Sequence, residues 1–497
     1  MENEDGQEMV IENNNAYLMA MGEGSRIEIH AADREKESWT QLETTAEAGS
    51  SQLVLQEETG WEVGDRIAIA STSNDFEEAE EFTILEISAD GKTVTLGDEN
   101  GNPANLENTH LGETRSYDNG QAGEDHRTWD VEVRAEVALL SRNVTIQGDE
   151  DSVDDGFGGH TMIMNGAEQH ISGVEFYRMG QEDILGRYPI HWHMLGDAEG
   201  QYVEGVSVHH SYQKGSTIHG TSNIRYEDNV IFEHVGHGLF FEDGSENNNQ
   251  IYGNLVFGTR ESLTGEPIPT DGEHASSYWI ENPNNAFIGN HAAGSESNGF
   301  WIFEGQLHGL SAETFVGESG QLHDLIFIGN TGHSTSGDGG AGGTDKILGI
   351  DGTITDDLDF RQSTLAAEFG VVEGFTAYAG PVWNLTHEMV FSNSSFTDVR
   401  FFARHENFIE NTLFDNATVI LYRDGGNQYD DIYAVDGTRF IQLSSDHVNT
   451  QNSFNNVVLE DGSRVAFSGG LSAGTVNQQV AVDIDGSITG LPGGCSA

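Results

Sequence analysis

Residues 223–248 read NIRYEDNVIFEHVGHGLFFEDGSENN, and the next unit, 249–258, reads NQIYGNLVFG; the two begin about 26 residues apart. Short apolar alternations of the same kind recur on both sides: VSVHHS (206–211), AFIGNHAAG (286–294) and DLIFIGNTG (324–332), with Asn, Asp and Gly between them. Helical periodicity is scarce, and the chain holds 62 Gly against 7 Pro. Strand-sized pieces repeating every 20–50 residues indicate a solenoid. Asn229, Asn254, Asn290 and Asn330 hold one place in successive units, as stacked turns bonded through side-chain amides require. These features predict an all-β chain whose body is a right-handed parallel β-helix. A β-propeller is the alternative, but its longer blades and hairpin signals are not evident.

The organisation expected is a small N-terminal β domain over 1–150 and the β-helix over 151–497. VGDRIAIAST, EFTILEISADGKTVTLG and VEVRAEVALLSRNVTIQG read as strands, with Asp90-Gly91 as a tight hairpin turn. Such a domain would cap the open sheet edges at the solenoid's N-terminal end. Residues 331–369, rich in Gly, Asp and Thr, read as a long loop interrupting the repeats.

The formal net charge is −62, from 83 acidic and 21 basic residues, and the only lysines are Lys36, Lys92, Lys214 and Lys346. Self-repulsion on this scale destabilises a compact state in ordinary salt. In molar salt the Debye length falls to about 3 Å and the penalty largely disappears. A folded, salt-adapted protein is the expectation, because apolar residues (36%) and aromatics (9%) are too plentiful for an acidic disordered chain. Nucleic acid is excluded as a partner at low salt. No apolar run approaches the ~20 residues of a membrane span. Cys495 is the lone cysteine, so no disulfide forms within one chain. MENEDGQEMV is no signal peptide, and the expected location is extracellular or cell-surface with a leader lying outside this sequence.

The densest histidine stretch opens at GRYPIHWH (186–193) and continues through His209, His210, His219, His234 and His237. Imidazole is the side chain best suited to proton transfer or metal binding near neutral pH. Aligning YPIHWH, STIHG, LFFEDG and SYWIEN places His191, His219, Glu242 and Glu281 in one column, on rungs about 4.8 Å apart. His193, two residues on, shares the face of His191. His191, His193, His219, Glu242 and Asp243 are therefore the catalytic candidates, and His191, His219 and Glu242 the candidate ligands of a divalent metal, Ca or Zn. Two carboxyls on neighbouring or alternate rungs suit glycoside hydrolysis. A lyase needs instead a base and a cation or metal to neutralise a uronate carboxylate. Lys214, His237 and Arg187 form a second candidate column for such a carboxylate. Arg134 alternates onto one face with Glu136, as an interface salt bridge or as a groove contact. Trp192 and Trp279 are the candidate stacking surfaces for sugar, beside Tyr188, Tyr278, Phe300 and Trp301.

Longer motifs carry a resemblance. GWEVGDRIAIAST (60–72), AEEFTILEI (79–87) and VRAEVALLSRNVTIQG (133–148) resemble the domain named for its eight glycines. FGGHTMIM (157–164), GRYPIHWHMLGD (186–197), VSVHHSYQKGSTIHG (206–220), GHGLFFEDGSENNN (236–249), SSYWIENPNNAFIGNHAAGS (276–295) and DIDGSITG (483–490) resemble the repeats that follow it. Together they resemble the cell-migration-inducing and transmembrane hyaluronidase family, with its fibrocystin-like relatives. The resemblance implies a parallel β-helix with an N-terminal β domain. It further implies hyaluronan depolymerisation, with calcium needed in some members. The chain departs from the family at Glu132, where an aspartate precedes the arginine by two, and in lacking the family's cysteines. The expected function is cleavage of an extended, anionic, uronate-containing polysaccharide in a groove near residues 187–304. A non-catalytic glycan-binding or adhesion protein, or a lyase, is the alternative.

Overall fold

The computed structural model describes residues 16–32, 36–261, 275–282, 284–303, 326–335, 346–351, 371–384, 390–403, 407–421, 427–442, 452–467, 481–483, 487 and 494–495. Three short strands make each of the earlier coils, and from Thr376–Asn384, which pairs with both Thr331–Thr335 and Lys346–Asp351, one longer strand serves two walls. Arg225–Glu227, Val230–Val235 and Leu239–Phe241 form one early coil. Gln250–Tyr252, Leu255–Arg260 and Ser276–Ile280 lie on it in the next, each pairing parallel with the strand before it. Three walls result, closed around one apolar core that runs from Ile27 and Ile163 to Phe454 and Val457. Crossovers of this kind are right-handed in nearly all proteins. The architecture is the right-handed parallel β-helix that the repeats predict.

The recurring Gly-Asn pair has a conformational cause. The residue before each ladder asparagine turns the corner in the left-handed region: φ is 62° at Gly253, 64° at Gly289 and 60° at Gly329, with Asp228 at 55°. Glycine adopts that conformation without steric cost, and Asp tolerates it. The asparagine that follows is sealed in the coil and bonds along the axis. Asn229 Nδ2 donates to Asn254 Oδ1 (2.9 Å), Asn254 Nδ2 to Asn290 Oδ1 (2.9 Å) and Asn290 Nδ2 to Asn330 Oδ1 (3.0 Å). Asn254 Nδ2 also donates to Tyr226 O, and its Oδ1 also accepts from the Asn229 backbone N–H. Asn254→Ala strips several buried partners at once, so we expect a loss of about 3 kcal/mol, measured by denaturant unfolding in molar salt. An unchanged midpoint would mean that the ladder is incidental to the fold.

The small domain departs from expectation in two ways. First, its boundary is not residue 150. Tyr17–Met21 pairs parallel with His160–Met164, and Arg26–His30 with Glu168–Ser172, so the chain starts a coil before the domain begins. Thr145–Gln147 already belongs to the β-helix, on Glu175–Tyr177. The domain is an insertion between these strands: a six-stranded antiparallel sheet, with a hairpin of Gly112–Asp118 and Thr128–Arg134. Its Asp90-Gly91 turn joins Glu80–Ile87 to Thr93–Gly97 as expected.

Second, the domain lies along one wall and does not cap the end. Ala68, Ala70, Ala138 and Leu140 pack on Val230, Phe232, Leu255, Phe257 and Ala293. The hairpin's Trp129, Val131 and Val133 reach Tyr378, Leu413 and Tyr433, several coils further on. In the segment read as a loop, Thr331–Thr335 and Lys346–Asp351 are strands paired with the preceding coil. Residues 336–345 and 352–369 of that reading lie outside the described residues.

Candidate functional site

One wall carries the histidine–carboxylate group. Along Ile190–Asp197, Ile190 and Trp192 point into the core, which leaves His191 and His193 on the outer side. His193 lies opposite His219, and Trp192 opposite Ile218. Ile218 is opposite Phe241, which carries the register from His219 to Glu242; Phe240 opposite Trp279 carries it on to Glu281. The column is thus His193–His219–Glu242–Glu281. The expected column began with His191, which instead lies opposite Thr217. Matching the two Ile-His pairs set Ile190 on Ile218, whereas the coil sets Trp192 there. Alternation has a period of two, so a two-residue slip keeps every side chain on its face and leaves no trace in the pattern.

His191 nevertheless joins the group. Its ring stacks on that of His219 at 6.1 Å, 10° from parallel, and meets the edge of His193 at 5.1 Å. His193 Nδ1 is 3.1 Å from His219 Nδ1, and Glu242 Oε2 is 3.4 Å from His219 Nδ1 and 4.0 Å from His191 Nε2. Asp243 Oδ2 is 3.4 Å from His219 Nε2. Trp279 Nε1 donates to Glu281 Oε1 at 3.0 Å. Glu246, not anticipated from sequence, supports the group from beneath. Its Oε1 accepts the Gly220 and Asp243 backbone N–H groups at 2.7 and 3.2 Å. In sequence it is one more acidic residue in a polar turn, so only the fold marks it.

The environments push these groups apart. Burial, then the neighbouring His193, hold His191 well below the usual imidazole range. Burial and His219 lower His193 as well. At His219 burial acts in the same direction, but the hydrogen bond to Asp243 and the charges of Glu242 and Asp243 outweigh it and raise its pKa. Burial would raise Asp243, yet its bonds to His219 and Ser245 hold it low. Burial pushes Glu281 up to about 7 against the Trp279 hydrogen bond, with Asp243 and Glu242 adding repulsion. Glu246 is raised well above the usual carboxylate range, by burial and then by Asp243. Separated pKa values of adjacent groups are the signature of assigned acid and base roles.

Other candidates fall elsewhere. Trp192 is sealed in the core and donates to Gln201 Oε1 (3.2 Å), so it offers no face to a sugar. Arg134 belongs to the small domain. It donates to the Leu42 and Glu43 carbonyls and to Thr114, and its carboxylate is Glu132. Glu136, its expected partner, turns to the β-helix and takes His291 and His333. Lys214 is buried, with Nζ over the rings of Phe240 (4.8 Å) and Tyr188 (5.4 Å). His237 is buried between Phe240 and Trp279, and its Nδ1 accepts the Ser276 N–H. Arg187 meets His160 Nε2 at 2.6 Å at the margin of the wall. His209 and His210 face the small domain, against Glu175 and Glu81. Tyr278 and Phe300 are core; Trp279 and Trp301 are partly exposed on the wall.

The donor set also fits a borderline metal. His191, His193 and His219 each offer a ring nitrogen, all within 4.8 Å of one another. His191 Nδ1 bonds the Gly186 carbonyl at 3.2 Å, and its buried Nε2, turned toward Glu242, makes no hydrogen bond. A backbone carbonyl on one ring nitrogen with the other bare is how metal-binding imidazoles are oriented. Three imidazoles suit zinc and its neighbours; calcium takes oxygen ligands.

The comparisons cover the β-helix. Residues 156–340 match the family model described as CEMIP beta-helix. Fibrocystin-L of Mus musculus is 36% identical over 304 residues, which is 53% of this chain and 7% of that protein. Cell surface hyaluronidase CEMIP2 of Homo sapiens is 35% identical over 323 residues, 56% of this chain and 22% of that protein. The matched stretch is therefore a small part of either relative. Among solved structures, pectate lyase Pel9A is 13% identical with a TM-score of 0.27, over 68% of each chain, too remote to bear on function. The class defined by fold and wall is a parallel β-helix protein with a histidine–carboxylate face. Over residues 156–340 the chain is similar to the β-helix of the cell-migration-inducing and transmembrane hyaluronidase family and its fibrocystin-like relatives.

Proposed function

We propose that this chain is an extracellular or cell-surface, salt-adapted enzyme that cleaves glycosidic bonds of an extended polysaccharide of the hyaluronan kind. The observation that carries the reading is the His193–His219–Glu242–Glu281 column, in which a carboxyl raised by burial and an ion-paired one occupy adjacent rungs. Relatives named as cell surface hyaluronidases support the substrate class. The location rests on the same relatives, and no described helix is long and apolar enough to cross a membrane. Salt adaptation rests on the −62 charge.

Glu281, half protonated near neutrality, donates its proton to the leaving glycosidic oxygen. Glu242, facing His219, is the carboxylate that stabilises or attacks the anomeric carbon. A rung spacing of about 4.8 Å is close to the ~5–5.5 Å carboxyl separation of retaining glycosidases. Asp243 fixes the His219 ring, and Glu246 fixes Asp243.

His191, His193 and His219 would hold a zinc-type ion. Such an ion, when bound, supplies Lewis acidity and a bound water of lowered pKa. We expect Zn to raise the unfolding temperature of the wild type and not of His191→Ala, with Ca far less effective; equal effects on both proteins would remove the metal from the account.

Hyaluronan and other uronate polymers, incubated with the protein in molar salt, test the reaction class. New reducing ends without unsaturated-uronate absorbance are the expected result. That absorbance would establish a lyase, and neither signal would leave a glycan-binding surface protein.

A further inference from the structure

The wall that carries the histidine–carboxylate column continues well beyond it. From Ser276–Ile280 the parallel pairing passes through Asn298–Phe303, Lys346–Asp351, Thr376–Asn384, Ser395–Ala403, Thr418–Leu421 and Arg439–Gln442 to Arg464–Phe467. Over the last four strands the register sets Arg400 opposite Thr418, Thr418 opposite Arg439, and Arg439 opposite Arg464. Phe401, Val419 and Phe440, which follow the first three of these, lie in the apolar core, so the column is on the outer side. Arg400, Arg439 and Arg464 are all exposed.

Left to itself, such a column is unfavourable. Like charges directly opposite on neighbouring strands destabilise a sheet, and Arg439 and Arg464 are so placed. Acidic partners are plentiful in a chain with 83 acidic residues against 21 basic ones. Yet among the described residues neither guanidinium of this pair has an ion pair or a side-chain hydrogen bond. Asp436 and Asp461 sit three residues before them, at left-handed corners, and do not close on them. Asp398, before Arg400, accepts from Asn416 Nδ2 at 2.6 Å. Two exposed forked guanidinium groups without internal carboxylates are suited to carboxylates supplied from outside.

We propose that Arg439 and Arg464, with Arg400 in the same column, form a remote subsite for the carboxylates of a uronate-containing polysaccharide that runs along the wall from the histidine–carboxylate column. The inference rests on the glycan-cleaving reading and adds to it how a long chain is held. Six strand-to-strand steps of about 4.8 Å, roughly 29 Å, separate the Glu281 strand from that of Arg439, and Arg464 is one step further. A polymer reaches both places at once and a short oligosaccharide does not. The arginines also offset, at a distance, the repulsion that Glu242, Asp243 and Glu281 exert on a polyanion.

The test compares the wild type with the Arg439→Gln/Arg464→Gln protein, using long hyaluronan, the same polymer with its carboxyls reduced to alcohols, and a hyaluronan tetrasaccharide as competing inhibitor. The double variant is expected to raise KM for long hyaluronan roughly tenfold, with kcat unchanged. The tetrasaccharide should inhibit both proteins equally, and the reduced polymer should not distinguish them. Stability should be unchanged or higher in the variant, because a repulsion is removed; a structural role for the arginines would lower it. Equal KM for long hyaluronan in the two proteins would overturn the proposal, and so would an equal weakening of polymer and tetrasaccharide. In either case cleavage by both proteins leaves the proposed function standing. Failure of the wild type to bind or cleave any uronate polymer would overturn both.

Discussion

Glu281→Gln is expected to lower kcat by about 10²- to 10⁴-fold near neutral pH, the usual worth of a positioned proton donor. The wild-type rate should fall as pH rises through about 7, where the Glu281 carboxyl gives up its proton. The variant's residual rate should lack that limb. Stability should move the other way. A carboxyl whose folded pKa lies above its unfolded value of 4.5 favours folding fully below that value, and the contribution is lost as pH rises toward 7. The substitution should therefore stabilise the protein above neutrality, by at most about 3 kcal/mol, and change little in acid. Rate profiles and unfolding curves measured in one buffer series check both halves. A variant that keeps the wild-type rate profile and is less stable above neutrality would mean that Glu281 is an ordinary charged surface group.

The second large effect is at the seam between the small domain and the β-helix. Glu136 is fully buried and accepts from His291 Nδ1 (2.6 Å), His333 Nε2 (2.9 Å) and Gln41 Nε2 (3.2 Å). His333 is itself pinned by Tyr378, stacked at 4.3 Å. Burial alone would raise Glu136, but the two imidazoles hold it far below the carboxylate range. Glu136→Ala leaves both rings buried without their acceptor, and the expected cost is about 3–5 kcal/mol. Because the folded pKa is depressed, the stabilisation is present above the unfolded value of 4.5 and disappears as pH falls below it. Denaturant unfolding in molar salt, with limited proteolysis of the small domain, measures the loss. Wild-type stability in Glu136→Ala would show that the seam is held by its alanine and aromatic contacts alone.

What the sequence discloses and conceals follows from its periods. Parallel coils stack like on like, so Gly253-Asn254, Gly289-Asn290 and Gly329-Asn330 announce both the left-handed corner and the buried amide. Facing is legible for the same reason: His191 and His193 share the outer side, and both reach the cluster. Registration within a face is not, because Ile190 and Trp192 are equally apolar and either satisfies the core position that Trp192 takes opposite Ile218. His191 as head of the column fails on that ambiguity, whereas Trp192 as a sugar platform fails on facing, since alternation between His191 and His193 turns it into the core.

Partner choice between distant segments is hidden as well. Arg134 and Glu136 alternate onto one face, yet Glu136 is drawn to His291 and His333, more than 150 residues away, while Arg134 turns to Glu132. The small domain reads as a terminal cap because its strands precede the repeats. That Tyr17–Met21 and Arg26–His30 begin the solenoid ahead of it rests on pairings with residues 160–172. Glu246 has no signal at all without the turn that brings it under Asp243.

Chain-length analysis of hyaluronan incubated in molar salt with the wild-type protein and with Glu242→Gln tests the histidine–carboxylate wall most directly. The account predicts progressive shortening by the wild type and intact polymer with the variant, both proteins being equally folded. Equal shortening by the two, or none by the wild type in the presence of Zn or Ca, would contradict it.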